Sequence, residues 1–196
     1  MTKIAMIGAG SVVFCRTLVN DILNVPELRD SALYLMDIDP ERLTLIEKLI
    51  GKIVREESLP TRVAATTDRK EAIRDARYVV VMIQVGGLEA YRIDYEIPMK
   101  YGVDQCVGDT LGPGGVFRGL RTFPVLIDLA HEMESLCPPD AILMNYSNPM
   151  AMNTWAILNS SSVTAVGLCH GVQETARWMA RMIGAPMDDV HYSCAG

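Results

Sequence analysis

Short apolar and β-branched runs alternate along the chain with longer stretches whose apolar residues recur at three- and four-residue spacing. This alternation predicts βαβ units built around a mostly parallel sheet. Residues 3–7 form the first predicted strand. In residues 11–25, Val12, Leu18, Val19, Ile22 and Leu23 fall at helical spacing, with Ser11 placed as N-cap and Pro26 as stop. A second strand is predicted at 32–36, then a helix to about residue 57 in which Asp39 caps and Pro40 occupies the first turn. A weaker strand at 62–66 and a short helix at 68–76 precede the apolar run Tyr-Val-Val-Val-Met-Ile at 78–83, the pattern of a strand buried on both faces.

The rhythm breaks over residues 84–115, where Gly86-Gly87 and Gly112-Pro113-Gly114-Gly115 flank a predicted helix at 89–101. An interruption of that length usually carries function. The alternation resumes with a long helix at 116–135, a strand at 141–145, a helix at 149–159, a strand at 163–168 and a helix at 172–183. Residues 190–194 read as one more strand with nothing to pair or cover it, so the chain is expected to stop in mid-fold. The fold class that follows is α/β, a doubly wound, Rossmann-like and mostly parallel sheet.

Composition narrows the class of partner. The 196 residues are 49% hydrophobic and 21% charged, as in ordinary soluble globular chains. A net charge of -6 with scattered Lys and Arg argues against a nucleic-acid surface, which needs a clustered basic footprint. The five cysteines are odd in number, none lies in a CxxC pair and no secretory signal precedes the first strand, which points to a reduced, cytoplasmic protein. No apolar run approaches the roughly 20 residues of a membrane span. A small-molecule ligand fits this profile.

Gly8-Ala9-Gly10-Ser11 follows a strand and opens a helix, the context in which glycines let a backbone approach a pyrophosphate and helix N–H groups receive it. Val13 stands where the third glycine of the GxGxxG fingerprint belongs, and a ligand-free turn satisfies the same residues. Asp37 ends the second strand, where a carboxylate accepts ribose hydroxyls and repels a 2′-phosphate, which predicts NAD over NADP. Cofactor contacts are therefore expected at Gly8, Gly10, Ser11 and Asp37, with Gln84, Gly86 and Asn148 on the nicotinamide side.

In a doubly wound sheet ligands meet the carboxyl ends of the strands, which brings together residues 84–87, 145–149 and 169–171. Asn148 before Pro149 is a turn signal in its own right, and its amide also offers a donor and an acceptor to a sugar hydroxyl. Asp109 and Thr110 are placed to bond substrate hydroxyls from the glycine-rich segment that precedes the helix bearing Arg118 and Arg121. One cysteine and one histidine, Cys169 and His170, fall far short of a metal-ligand set.

Taken together, residues 7–11, 35–40, 109–115, 145–152 (NYSNPMAM) and 167–171 (GLCHG) resemble glycoside hydrolase family 4 across the whole chain. Within that family they are nearest the α-galactosidases, with the α-glucosidases next. The resemblance implies a glycosidase outside the usual two-carboxylate scheme. NAD takes a hydride from C3 of the sugar, a base removes the C2 proton, the glycosidic oxygen leaves, water adds and the hydride returns. It also implies manganese or another divalent ion polarising the C3 oxygen, with Cys169 as thiolate ligand, Asn148 binding substrate, and His170 and Asp109 as candidates for acid–base work.

Members of this family are more than twice as long. The resemblance places a partner histidine of the metal site just beyond residues 194–196 and a tyrosine base further on. Residues 1–190 are then the NAD-binding domain and 191–196 the start of a second, α+β domain. The 196-residue chain alone is expected to be inactive, and the whole protein to form a dimer or tetramer acting on a small α-glycoside. Two other readings share the motifs: a malate- or lactate-like dehydrogenase, and an NAD-binding module without chemistry.

Overall fold

The computed structural model describes residues 1–169 and 171–193. Six strands form one sheet: Thr2–Ile7 (β1), Ser31–Met36 (β2), Arg62–Thr66 (β3), Tyr78–Val81 (β4), Ile142–Asn145 (β5) and Thr164–Gly167 (β6). They lie in the order β3-β2-β1-β4-β5-β6, and every pairing is parallel. The α-helices are Val12–Asn24 (α1), Pro40–Glu56 (α2), Arg69–Ile73 (α3), Gly87–Met99 (α4), Gly112–Leu136 (α5), Met150–Ser160 (α6) and Gly171–Ile183 (α7).

Alternation along each strand divides the interior into two cores, because successive side chains point to opposite faces. Ala5 and Ile7 of β1 join Val79, Val81 and Leu143 against Ile73 of α3, Leu126, Leu129 and Met133 of α5, and Ile157 of α6. Ile4 and Met6 face the other way and join Leu33, Leu35 and Val80 against Val19 and Leu23 of α1 and Ile46 and Ile50 of α2. Helices on both faces explain why the central strands read as unbroken apolar runs.

From β1 the chain steps outward through β2 to β3, then returns to lay β4 on the other side of β1 and steps outward again through β5 to β6. The direction of winding reverses between β1 and β4, and the two flanking turns part there at the carboxyl ends of the strands. This is the crevice where such sheets take their ligands.

Helix α2 shows how local sequence sets an element. Asp39 Oδ1 accepts from the N–H groups of Glu41 at 3.0 Å and Arg42 at 3.1 Å, and Pro40 starts the helix with no N–H to satisfy. Asp39→Ala is expected to lower stability by about 1 kcal/mol with no effect on the far side of the sheet. Urea denaturation of the two chains checks this.

The structure departs from the sequence expectations by a residue or two at several element ends, among them the strand at 78–83, which stops at Val81, and the helix at 89–101, which spans Gly87–Met99, and by more at three places. Helix α5 begins at Gly112 rather than Val116, so the glycine-proline segment read as a loop is its first turn. Helix α3 ends at Ile73, short of Ala76. The strand expected at 190–194 is absent from its described part: Met187–Asp189 form a 3-10 turn, Val190 donates back to Met187 O at 3.1 Å, and residues 190–193 pair with no strand. Cys194 lies outside the described residues.

Candidate functional site

The first turn is built by two glycines that have no room for a side chain. Gly8 adopts a φ of +87°, and a Cβ there would lie 2.6 Å from Met82 O. A Cβ at Gly10 would lie 2.7 Å from Asp37 Oδ2. The N–H groups of Gly8 and Ala9 both donate to Met36 O at 2.9 Å, which ties the turn to the end of β2. Gly10 N–H donates to Asp37 Oδ2 at 2.7 Å, and Asp37 Oδ1 accepts from Asp39 N–H at 3.0 Å.

Ser11 stands at the N-cap of α1, yet its side chain makes no capping bond. It holds the N-cap position expected from the sequence without capping through its side chain: Val12 and Cys15 N–H donate to Gly10 O and Ser11 O, and the first-turn amides have no side-chain acceptor. Together with the partial positive charge of the helix end, they leave an opening suited to an anion. Val13, at the position of the missing third glycine, is 74% exposed and so leaves the helix free to pack on the sheet through Cys15 and Val19. Burial first, and the nearby Asp37 charge second, push the Cys15 thiol up to about 12, which keeps it a neutral packing group.

Past the switch point, buried polar groups lock the ends of β4 and β5 together. Ile83 N–H donates to Ser147 Oγ at 2.9 Å, and Ser147 N–H donates to Asn145 Oδ1 at 3.0 Å. Ser147 O in turn accepts from Asn145 Nδ2 at 3.2 Å and Asn153 Nδ2 at 3.1 Å. Asn148 is presented on this platform. Its Nδ2 donates to Asp109 Oδ2 at 3.1 Å, so the structure joins two residues singled out from distant segments. Arg118 completes the group, with Nε donating to Asn148 O at 3.0 Å and Nη1 lying 3.6 Å from Asp109 Oδ2. Thr110 Oγ1 donates to Asp109 Oδ1 at 2.8 Å.

In the loop after β4 the exposed Gln84 donates from Nε2 to Gly87 O at 3.0 Å. Gly86, at φ +83°, caps α4. Arg121 Nε reaches Val85 O at 3.0 Å, and its two remaining nitrogens meet both oxygens of Asp94 at 3.1 and 2.5 Å. Asp94 is 2% exposed, and hydrogen bonding to it raises the Arg121 pKa above its ordinary value.

Sequence reasoning passed over Asp94 and gave Arg118 and Arg121 no role. A signal existed for Arg118: it falls in the stripe Gly115, Arg118, Thr122, Leu126 that is buried along α5. For Asp94 the signal was misleading, since α4 exposes its apolar Leu88, Ile93 and Ile97 and buries the aspartate.

Cys169 is exposed just beyond β6, and Leu168 N–H beside it donates to Asn145 O at 2.9 Å, which sets this end against β5. His170 lies outside the described residues. Among the described residues no three His, Cys, Asp or Glu side chains gather as a metal site, so Cys169 stands as a single donor. No helix among them is long and apolar enough to cross a membrane.

A family model described as "Family 4 glycosyl hydrolase" matches residues 3–185. The chain belongs to that family. Among family 4 relatives, an alpha-galactosidase of Rhizobium meliloti is 50% identical over 99% of the chain and 40% of its own length. An alpha-glucosidase of Erwinia rhapontici is 36% identical over 100% of the chain and 43% of its own length. A solved 6-phospho-beta glucosidase of Thermotoga maritima, with manganese, NAD+ and glucose-6-phosphate, superposes with a TM-score of 0.84 at 27% identity. That match covers 97% of the chain and 45% of the solved one. The chain thus spans under half the length of these family 4 proteins. A lactate dehydrogenase of Trichomonas vaginalis, at 17% identity and a TM-score of 0.68, shares the fold alone.

Proposed function

We propose that this chain is the dinucleotide-binding part of a family 4 glycosidase and that it holds NAD across the crevice between β1 and β4. The observation that carries the proposal is the pairing of two features at one sheet edge: the glycine turn closed by Asp37, and the Asp109–Asn148 pair beyond the switch point. A Cβ at either glycine would strike the protein itself, at Met82 O or Asp37 Oδ2, so only bare backbone makes this tight turn of the kind a dinucleotide fingerprint uses.

In this reading Gly10 and the first turn of α1 receive the pyrophosphate. Asp37 accepts the adenosine ribose hydroxyls and turns away a 2′-phosphate. When bound, NAD supplies a hydride acceptor and donor at C3 of the sugar. Asn148 and Asp109 grip the sugar's hydroxyls, Arg118 keeps both in register, and Asp109 and His170 are the proposed proton-handling groups. The described residues do not complete a metal site. Cys169 is proposed as one thiolate ligand of a divalent ion, manganese foremost, with the remaining ligands supplied by the further length that family members have. Residues 1–190 then form the nucleotide-binding domain, and 191–196 lead into a second one.

An α-galactoside is the proposed substrate of the whole protein, because the relatives named alpha-galactosidases are 50% and 40% identical to the chain, against 36% for the alpha-glucosidase. Hydrolysis of nitrophenyl α-galactoside by the full-length protein, set against the α-glucoside and the 6-phosphate analogues, tests this. Turnover that requires NAD without accumulating NADH is expected. Stoichiometric NADH formation on a hydroxy acid would replace the proposal with a dehydrogenase.

A further inference from the structure

Helix α5 carries two arginines one turn apart, and they hold different loops. Arg118 serves the loop after β5, as described above. Arg121 reaches the loop after β4, where Nε donates to Val85 O at 3.0 Å while Nη1 and Nη2 engage Asp94 at 3.1 and 2.5 Å. Asp94 belongs to α4, the helix that this loop enters. One guanidinium therefore ties together a loop carbonyl, the following helix and the long helix beneath.

Apart from Arg121 the loop is held at its ends, by Ile83 N–H to Ser147 Oγ at 2.9 Å before it and by Ala90 N–H to Gly86 O at 3.3 Å after it. Gly86 and Gly87 both adopt positive φ, +83° and +61°, and glycines restrain a backbone least. Its own bonds, Gln84 Nε2 to Gly87 O at 3.0 Å and Gly87 N–H to Gln84 O at 3.3 Å, are internal and fix no position relative to the sheet. The guanidinium also packs against the glycine, since a Cβ at Gly86 would lie 3.1 Å from Arg121 Nε. Only a planar fork offers one N–H sideways and two forward at once; a lysine ammonium does not.

We infer that Arg121, held by Asp94, is a positioning residue that sets the 84–87 loop against the nicotinamide half of the bound dinucleotide. The inference rests on the dinucleotide reading above. Asp94 neutralises the cation and fixes its plane, while the adenosine half, held at Gly10 and Asp37 on the other side of the switch point, is untouched. A pair that merely glued α4 to α5 would change stability and leave ligand discrimination alone.

Calorimetric titration of the full chain with NAD and, separately, with ADP distinguishes these, with the thermal midpoint recorded for each variant. Arg121→Lys is expected to weaken NAD at least about tenfold and to leave ADP within about twofold. Asp94→Asn, which keeps the shape and removes the charge, is expected to do the same to a smaller degree and stands in if the lysine variant fails to fold. Parallel loss of both ligands, or unchanged NAD affinity with a lowered midpoint, overturns the inference and leaves the cofactor reading intact. A parent chain that binds neither ligand removes the cofactor reading itself, and the inference with it.

Discussion

Gly10→Val is expected to reduce NAD affinity by at least about a hundredfold while the chain keeps its circular dichroism spectrum, with an unfolding midpoint lowered by local overpacking. A side chain at this position is driven into the Asp37 carboxylate, since even its first carbon would stand 2.7 Å from Oδ2 and 2.8 Å from Cγ. The carboxylate must swing away, which breaks the 2.7 Å bond from Gly10 N–H and displaces the group that reads the ribose. Gly10 has no left-handed backbone to defend, so the fold survives the change. Gly8, whose φ is +87° and whose Cβ would strike the carbonyl of Met82, offers no such clean separation. Fluorescence titration with NAD measures the effect, and affinity within about threefold of the parent would show that the dinucleotide does not lie on this turn.

Arg118→Met is expected to cost about 2–4 kcal/mol of folding free energy, a large share of the 5–15 kcal/mol typical of a domain. Arg118 is only 9% exposed and supplies a donor to Asn148 O together with the counter-charge for Asp109. Methionine matches its length and apolar stem, so packing is largely preserved and the loss reports on charge and hydrogen bonding. Asp109 would keep the amide of Asn148 and the hydroxyl of Thr110, both neutral donors, against a partly buried negative charge. Adding Asp109→Asn to the variant removes that charge and is expected to recover at least about half of the loss. Guanidinium denaturation of the parent, both single variants and the double variant completes the cycle. A double variant no more stable than Arg118→Met would mean that the loss comes from the missing donor to Asn148 O and not from the charge left on Asp109.

Much of this architecture is legible in the sequence because parallel strands covered on both faces must be apolar throughout. The run at 78–83 was readable for that reason, and the structure places a strand at Tyr78–Val81; the edge strand Arg62–Thr66, half-buried and ending in polar residues, gave the weaker signal. The start of α5 was not legible, because Gly112-Pro113-Gly114-Gly115 carries the two residue types that ordinarily end helices. Crowding explains the choice: a Cβ at Gly115 would lie 2.7 Å from the backbone of Thr110, and one at Gly114 would strike Gly108 O. The glycines let the helix start against the strand of chain that delivers Asp109. At the site, Gly10, Asp37, Asp109 and Asn148 stood out one by one from residue type and position, and their pairing appears only in the structure. The arginines that secure them were not, since a buried cation on a helix looks in sequence like any solvated one until its partner is known.

The central place of β1 also bears on how the chain comes off the ribosome. Of the six strands the earliest in the chain lies inside the finished sheet, and for some forty residues after β2 has joined it, its second edge waits for residues 78–81, to which only four register positions bind it. Until then the nascent polypeptide carries a half-built sheet with an open, apolar rim, the kind of surface that invites pairing with a neighbouring chain or calls for a chaperone's cover.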